Sequence, residues 1–391
     1  MLSFKKFLKE TIIRAPGVKQ KPGVPHLEHI PDHGAFDGKE ASEHALNTLR
    51  GVAAGKEPIT RKIDDSPSFQ AIRHPDGRVG VKYKGSGSHY NYSEAEVQQQ
   101  HGHKPYLAEP LKAVMRHIGK VLPDRPGEYQ GGVMHHPGKP ATTENGSVSF
   151  QPNTIKYSVP ENSEEGKKIK RAKVGIAIHT ELHGANGDPE PITDASEFKS
   201  HPDVHMMSHV VSQEERQIHP EDKKIAEDHI NKAEELLGQQ THAHTAGHEI
   251  HLRTYINHTV RTGETPSVEG FKAHLAAAHD KKIEGVKTAA AKASKQAAKD
   301  ADMAHIDKNK EAFARTFQIH HHLQQATNIL ANSLSRRAHG GYGHEIEGRK
   351  SDPEGFVAGG MKIVDRSPAS PDRPGGFAQA NFERSAAMRG K

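Results

Sequence analysis

The stretch Pro58-Ile-Thr-Arg-Lys-Ile-Asp-Asp-Ser-Pro-Ser-Phe69 (PITRKIDDSPSF) sets a lysine, two aspartates and a helix-breaking Ser-Pro between short apolar positions. Proline biases the residue before it toward extended backbone, so a strand is expected to end here with Lys62 close to its tip. Two readings of Lys62 beside Asp64 and Asp65 follow. One is a solvated surface ion pair. The other is a nucleophile, because a deprotonated lysine attacks phosphorus or carbon. Burial or a neighbouring cation lowers a lysine's pKa, whereas carboxylates alone raise it. The nucleophile reading therefore asks for a metal or further cations around Lys62.

Strand-like pieces with turn signals surround this stretch: SFQAIRHPDGRVGVKYKG, PGEYQGGVMHH, GSVSFQPNTIKYSVP and KRAKVGIAIHTEL. His74–Arg78 (HPDGR) reads as a hairpin turn. A helix, YLAEPLKAVMRHIGKVL, interrupts the strands, and another, KEASEHALNTLRGVAAG, precedes them. In that second helix Ala45, Leu46, Leu49 and Val52 share one face and Gly55 closes the C-terminus. Beyond about residue 213 the chain turns rich in Ala, Lys and Glu with helical spacing. Phe313, Phe317, His320, Leu323, Ala326, Ile329, Leu330 and Leu334 form one apolar stripe there. PEGFVAGGMKIVDR then returns to strand–turn–strand texture. The expected organisation is an N-terminal arm and helix (1–57), an antiparallel α+β domain (58–204), a helical insertion (205–338), the return of the sheet domain (339–366) and a tail (367–391).

The chain has 391 residues, of which 33% are hydrophobic, so the core is modest and some helices are solvated. With no cysteine, disulfides, zinc ribbons and thiol catalysis are excluded and a reducing compartment suits the chain. No apolar run approaches the ~18 residues of a membrane span. The start MLSFKKFLKETIIRA reads as a short amphipathic helix rather than a signal peptide. A net charge of +5 is a mild basic bias, compatible with a polyanionic partner. The 31 histidines make that charge sensitive to pH between about 5 and 8.

The residues KIDD at 62–65 resemble motif I of the covalent nucleotidyltransferases, the ATP-dependent DNA and RNA ligases and mRNA capping enzymes. There the lysine of Lys-x-Asp-Gly accepts a nucleoside monophosphate. GVKYKG supplies Lys82 and Lys84 where that family carries a basic residue before glycine. PGEYQGG resembles motif III, with Glu128 as the ribose-binding acid. KVGIAIHTEL is placed as the next motif without its aromatic residue, and PEGFV with MKIVD is similar to motifs IV and V. The resemblance implies a ligase-adenylation fold carrying a large helical insertion. It also implies ATP and Mg2+, with Lys62 as nucleophile, Asp64 and Glu354 at the metal, and Lys82, Lys84, Glu128 and Lys362 on the nucleotide. Its substrates would be RNA or DNA ends. The motif-like segments cover about 58–185 and 350–366. Almost the whole chain also resembles a protein group of T4-like tailed phages, through PHLEHIPD, QPNTIKYSVP and a C-terminal ANF. That resemblance implies the host cytoplasm, and the lack of an apolar run is why no membrane partner is expected.

Two departures stand out. Asp65 takes the place of the motif I glycine. Gly132 stands where the phage group carries its motif III acid, leaving Glu128 as substitute. The alternative function is a non-catalytic phage structural or nucleic-acid-binding protein that keeps the fold. Glu347 rivals Glu354, and Lys362 with Asp365 could be a surface pair. His244, His248 and His251 have the spacing of one helix face, but without His-Glu-x-x-His order they read as a solvated polar face. Gly85–His89 (GSGSH) lacks P-loop order and reads as a tight turn. Lys167–Lys173 is either a phosphate-contacting segment or a solvated lead-in to a strand.

Overall fold

The computed structural model describes residues 27–184, 188–240 and 242–367. The expected N-terminal helix and the C-terminal tail lie outside them. The chain is mixed α and β with largely antiparallel sheets, and it divides into two compact units. One, here the helical unit, takes residues 28–63 and 211–367; the other, the sheet unit, takes 64–210. The division falls between Ile63 and Asp64, inside the KIDD stretch at 62–65.

The helical unit begins with α1 (Ile30–Phe36), α2 (Lys39–Ala53) and β1 (Ile59–Lys62). Helix α2 follows its sequence pattern, with Ala45, Leu46, Leu49 and Val52 buried and Gly55 left-handed at φ +65° after its end.

The sheet unit then supplies β2 (Ser68–Arg73), β3 (Val79–Tyr83), α3 (Glu94–His101), α4 (Pro105–His117) and β4 (Gly127–His135). It continues with β5 (Thr142–Glu144), β6 (Ser147–Phe150), β7 (Lys156–Pro160), α5 (Glu164–Arg171), β8 (Val174–His183), β9 (Asp188–Pro191) and β10 (Val204–Met206). The main sheet has the order β10-β8-β4-β2-β3, and β9 pairs with β8. All its pairings are antiparallel except β8–β10, which runs parallel against the antiparallel expectation. The HPDGR turn closes β2–β3, with the His74 amide donating to the Arg78 carbonyl at 2.9 Å. One face of this sheet carries Phe69, Ala71, Tyr129 and Val133 against Leu107, Leu111, Val114 and Ile118 of the helical layer. Each such burial contributes about 1.5–3 kcal/mol for the large side chains. Strands β5, β6 and β7 form a separate antiparallel meander.

The chain returns to the helical unit with α6 (Pro220–Leu237), α7 (Glu249–Thr262), α8 (Val268–Glu284), α9 (Ala289–Lys308) and α10 (Lys310–Ser335). The hairpin β11 (Gly343–Ile346) and β12 (Arg349–Lys350) follows, then β13 (Gly355–Ala358) and β14 (Met361–Ile363). Strands β1, β13 and β14 form an antiparallel sheet in that order. The α10 stripe of Phe313, Phe317, Leu323, Ala326, Leu330 and Leu334 is buried in one core with α1, α2 and this small sheet. The helices of 211–335 thus share a hydrophobic core with the strands that bear Lys62 and Lys362, rather than standing apart as an insertion.

Candidate functional site

The β1–β13–β14 sheet has two unlike faces. Lys62 lies opposite Gly355, Thr60 opposite Val357, and Val357 opposite Lys362. Cross-strand partners project to the same side, so Thr60, Lys62, Val357 and Lys362 share a face. The other face sends Ile59, Phe356, Ala358, Met361 and Ile363 into the helical core. Burying that apolar set fixes the strand register, and the register fixes both lysines on the polar side.

Glu354, the residue before β13, accepts a hydrogen bond from the Lys62 ammonium. Position 355 has no room for a side chain: at φ +139° it lies where L residues are strained, and a Cβ would stand 2.7 Å from the Ile363 carbonyl oxygen. Lys362 is held by its own amide, which donates to the Glu28 carbonyl at 2.8 Å, and by a parallel bridge to His29. Burial, then the charge of Lys62, pushes the Lys362 amine below its ordinary pKa. Burial and the Arg366 charge depress His29 to about 3, so its imidazole is neutral near pH 7. Arg366 is itself buried, with Nη1 3.1 Å from Asp32 Oδ1, and His320 Nε2 lies 2.9 Å from the same oxygen. Burial alone would raise Asp32, but Arg366 and His320 bring its carboxyl well below the carboxylate range. The Arg366 amide donates to Asn328 Oδ1 at 3.0 Å, anchoring the segment after β14 to α10.

The sheet unit holds the remaining expected residues. Lys82 and Gln130 both pair with Gln70, and Glu128 is two residues from Gln130 on the same face. Lys82 Nζ is 3.8 Å from Glu128 Oε1 and 4.3 Å from the Tyr90 ring centre, and the Tyr90 hydroxyl donates to Glu128. Burial lowers the Lys82 amine, with Glu128 partly opposing it. Burial and the bond to Glu128 raise the Tyr90 phenol, so it stays a donor. Lys84 follows β3, its amide donating to the Ser68 carbonyl at 3.2 Å.

Asp64 is buried and fully engaged. Its Oδ1 accepts from Asn153 Nδ2 at 2.8 Å, its Oδ2 from the Thr154 and Ile155 amides at 2.6 and 2.7 Å, and its own amide donates to the Tyr157 hydroxyl. The QPNTIKY segment is thus the cradle of this carboxylate. Among the described residues no group of three or more His, Asp or Glu is arranged to hold a metal ion.

The two departures from the family pattern occupy one place. A Cβ on Gly132 would fall inside the Asp65 carboxyl group. Asp65 Oδ1 accepts from the Ser68 hydroxyl at 3.1 Å, Oδ2 is buried without a hydrogen bond, and His179 Nε2 stands 3.6 Å from it. A carboxylate from position 65 therefore fills the space over Gly132.

The structure gathers Lys62, Glu354 and Lys362 in the helical unit, and Lys82, Glu128, Asp64 and Asp65 in the sheet unit. His29, Asp32, Arg366 and Tyr90 escaped sequence reasoning. PHLEHIPD was the one signal for the first two, whereas Arg366 acquires its role only through α10. The three spaced histidines do not share a helix face: His244 ends a 3-10 turn, His248 precedes α7 and only His251 lies in it. His248 is buried rather than solvated, 3.5 Å from Asp302, whose other oxygen meets His279 at 2.8 Å. The basic segment expected as a strand lead-in forms α5, capped by Ser163.

Lys62, Glu354 and Lys362 thus gather two amines and one carboxylate at one sheet. The chain belongs to DUF6267, a family of unknown function, whose model matches residues 25–385. No curated protein and no solved structure matches it.

Proposed function

We propose that this protein is a phage-encoded nucleotidyltransferase of the RNA or DNA ligase kind, forming a covalent nucleotide adduct on Lys62 with ATP as substrate. The observation that carries the reading is the convergence of Lys62, Glu354 and Lys362 on one sheet face from positions nearly 300 residues apart.

Glu354 takes one proton from the Lys62 ammonium, and the freed Nζ lone pair forms a bond to the α-phosphorus while the P–O bond to the β-phosphate breaks. Pyrophosphate leaves with that electron pair, and the second Nζ proton passes to solvent. Lys362 offsets the charge that builds on the non-bridging oxygens. The nucleotide then passes to a 5′-phosphate end, from which a 3′-hydroxyl displaces it as the monophosphate.

The donor set bears on the divalent cation. With the Asp64 oxygens taken by three donors, Glu354 is the acid left beside Lys62, too few for a resident site. Magnesium would then enter with the triphosphate, neutralising its charge, and Glu354 is the protein group that would meet it.

A non-catalytic nucleic-acid-binding protein is the second reading, favoured by the existing pairing of Lys62 with Glu354. Intact mass after incubation with ATP and magnesium separates the two. One adenylate gained by the wild type and absent from Lys62→Ala supports the enzyme. No adduct with ATP or GTP sinks it.

A further inference from the structure

The sheet unit contains a cavity of about 260 Å³ that the reading of Lys62 does not use. Its polar lining is wholly basic: Arg116 and His117 end α4, His135 ends β4 with His136 next to it, and Lys170 and Lys173 flank the end of α5. No acidic residue lines it, and the remaining wall is Ala, Pro, Val and Ile.

The acids stand behind the bases. Glu94 holds Arg116 Nε at 2.7 Å, Glu161 holds Lys170 at 2.7 Å, and Asp203 meets Lys173 at 3.3 Å and Lys120 at 2.7 Å. Lys120 in turn lies 3.1 Å from His117 Nδ1. Exposed ion pairs of this kind are worth about 0–1 kcal/mol, so they orient the cations at little cost to binding a stronger anion. His135 is fixed from behind, its Nε2 3.3 Å from His205 Nδ1, while His205 Nε2 is 3.0 Å from Glu165. Burial chiefly depresses His117, His135 and His136, with Lys120 acting on the first, His205 on the second and Lys139 on the third. Asp203 and Glu109 oppose this weakly for His117 and His136. Near neutral pH the cavity thus presents uncharged imidazoles among three cations.

We propose that this cavity binds a phosphomonoester, the phosphate among Arg116, Lys170 and Lys173 and a single ring against the apolar wall. A phosphomonoester carries about −1.5 to −2 charge at neutral pH, which suits several cations at once. The volume is at or below the low end of small-molecule sites, about 300 Å³. It encloses the phosphate and the one sugar ring beside it, leaving any base outside, so the ligand is either a free mononucleotide or sugar phosphate, or the terminal 5′-phosphate of a strand. The inference is independent of the Lys62 chemistry.

Histidine side-chain NMR of the full-length Lys62→Ala protein tests it, with His117→Gln, His135→Gln and His136→Gln assigning the signals. Inorganic phosphate and AMP should each produce saturable shifts at these histidines and raise their pKa, with AMP tighter. Adenosine should do neither. Lys170→Glu with Lys173→Glu should weaken AMP at least tenfold while leaving the melting temperature near that of the parent. A 5′-phosphorylated trinucleotide binding as well as AMP assigns the strand end, and one that fails assigns the free ester. The proposal is overturned by no saturable shift with millimolar AMP, by equal response to sulfate or adenosine, or by indifference to the double charge reversal.

Discussion

Replacing Gly132 with alanine should unsettle the sheet unit far more than one methyl group normally does. The added Cβ falls inside the Asp65 carboxyl, whose side chain is only 10% exposed, so the carboxylate must rotate away. Overpacking costs about 1–3 kcal/mol. Losing the Ser68–Asp65 hydrogen bond adds about 0.5–1.5 kcal/mol. A total near 3 kcal/mol lowers the melting point of a unit this size by roughly 6–12 °C. Asp65→Gly forfeits the same hydrogen bond but also removes a buried oxygen without a partner, so it should cost about 1 kcal/mol. The double substitution should then cost no more than Asp65→Gly alone, a coupling of about 3 kcal/mol. Scanning calorimetry of the four proteins reads this directly. A Gly132→Ala transition within a degree or two of wild type, or additive losses, would refute the view that positions 65 and 132 share one space.

Acid should weaken both units. His135 titrates near 3 when folded against about 6.5 unfolded, so below about pH 6.5 the unfolded chain binds the extra proton. Its stabilising contribution is intact above that pH and disappears toward pH 3, with about 2 kcal/mol gone between pH 7 and 5. His29 acts alike in the helical unit; melting points that stay level from pH 7 to 5 contradict both. Asp64→Ala strands the Thr154 and Ile155 amides and should cost about 2–4 kcal/mol, with faster hydrogen exchange at those amides. Unchanged exchange there would show that Asp64 does not hold the loop. Gly355→Ala forces a methyl toward the Ile363 carbonyl at φ +139° and should cost about 1–3 kcal/mol. In the reading proposed for Lys62, it should also suppress adduct formation while helical circular dichroism persists. An adduct at the wild-type rate would show that strain at this turn does not disturb the neighbouring Lys62–Glu354 pair.

Much of the local structure could be read directly. HPDGR made its hairpin because Asp and Gly meet the turn's dihedral demands. The α10 stripe was buried because period and apolarity agreed over many residues. Glu354 and Lys362 were singled out by motif order, and the sheet brings both toward Lys62. The histidines misled, because spacing along a sequence implies a shared face only where a helix forms, and His248 lies before α7. The basic run became helical as far as Arg171 because Ser163 caps it and Ile169 is buried against the unit.

The division of labour follows from the range of the forces involved. Helix and strand periodicity, turns and the candidate lysines are written locally, since backbone preference and alternation act over a few residues. The partners of those residues are not. Asp64 is satisfied by a loop some 90 residues away, Arg366 by Asp32, and Asp65 by the vacancy over Gly132. A buried charge takes whichever donors the packed chain brings to it, and that choice belongs to the tertiary structure alone.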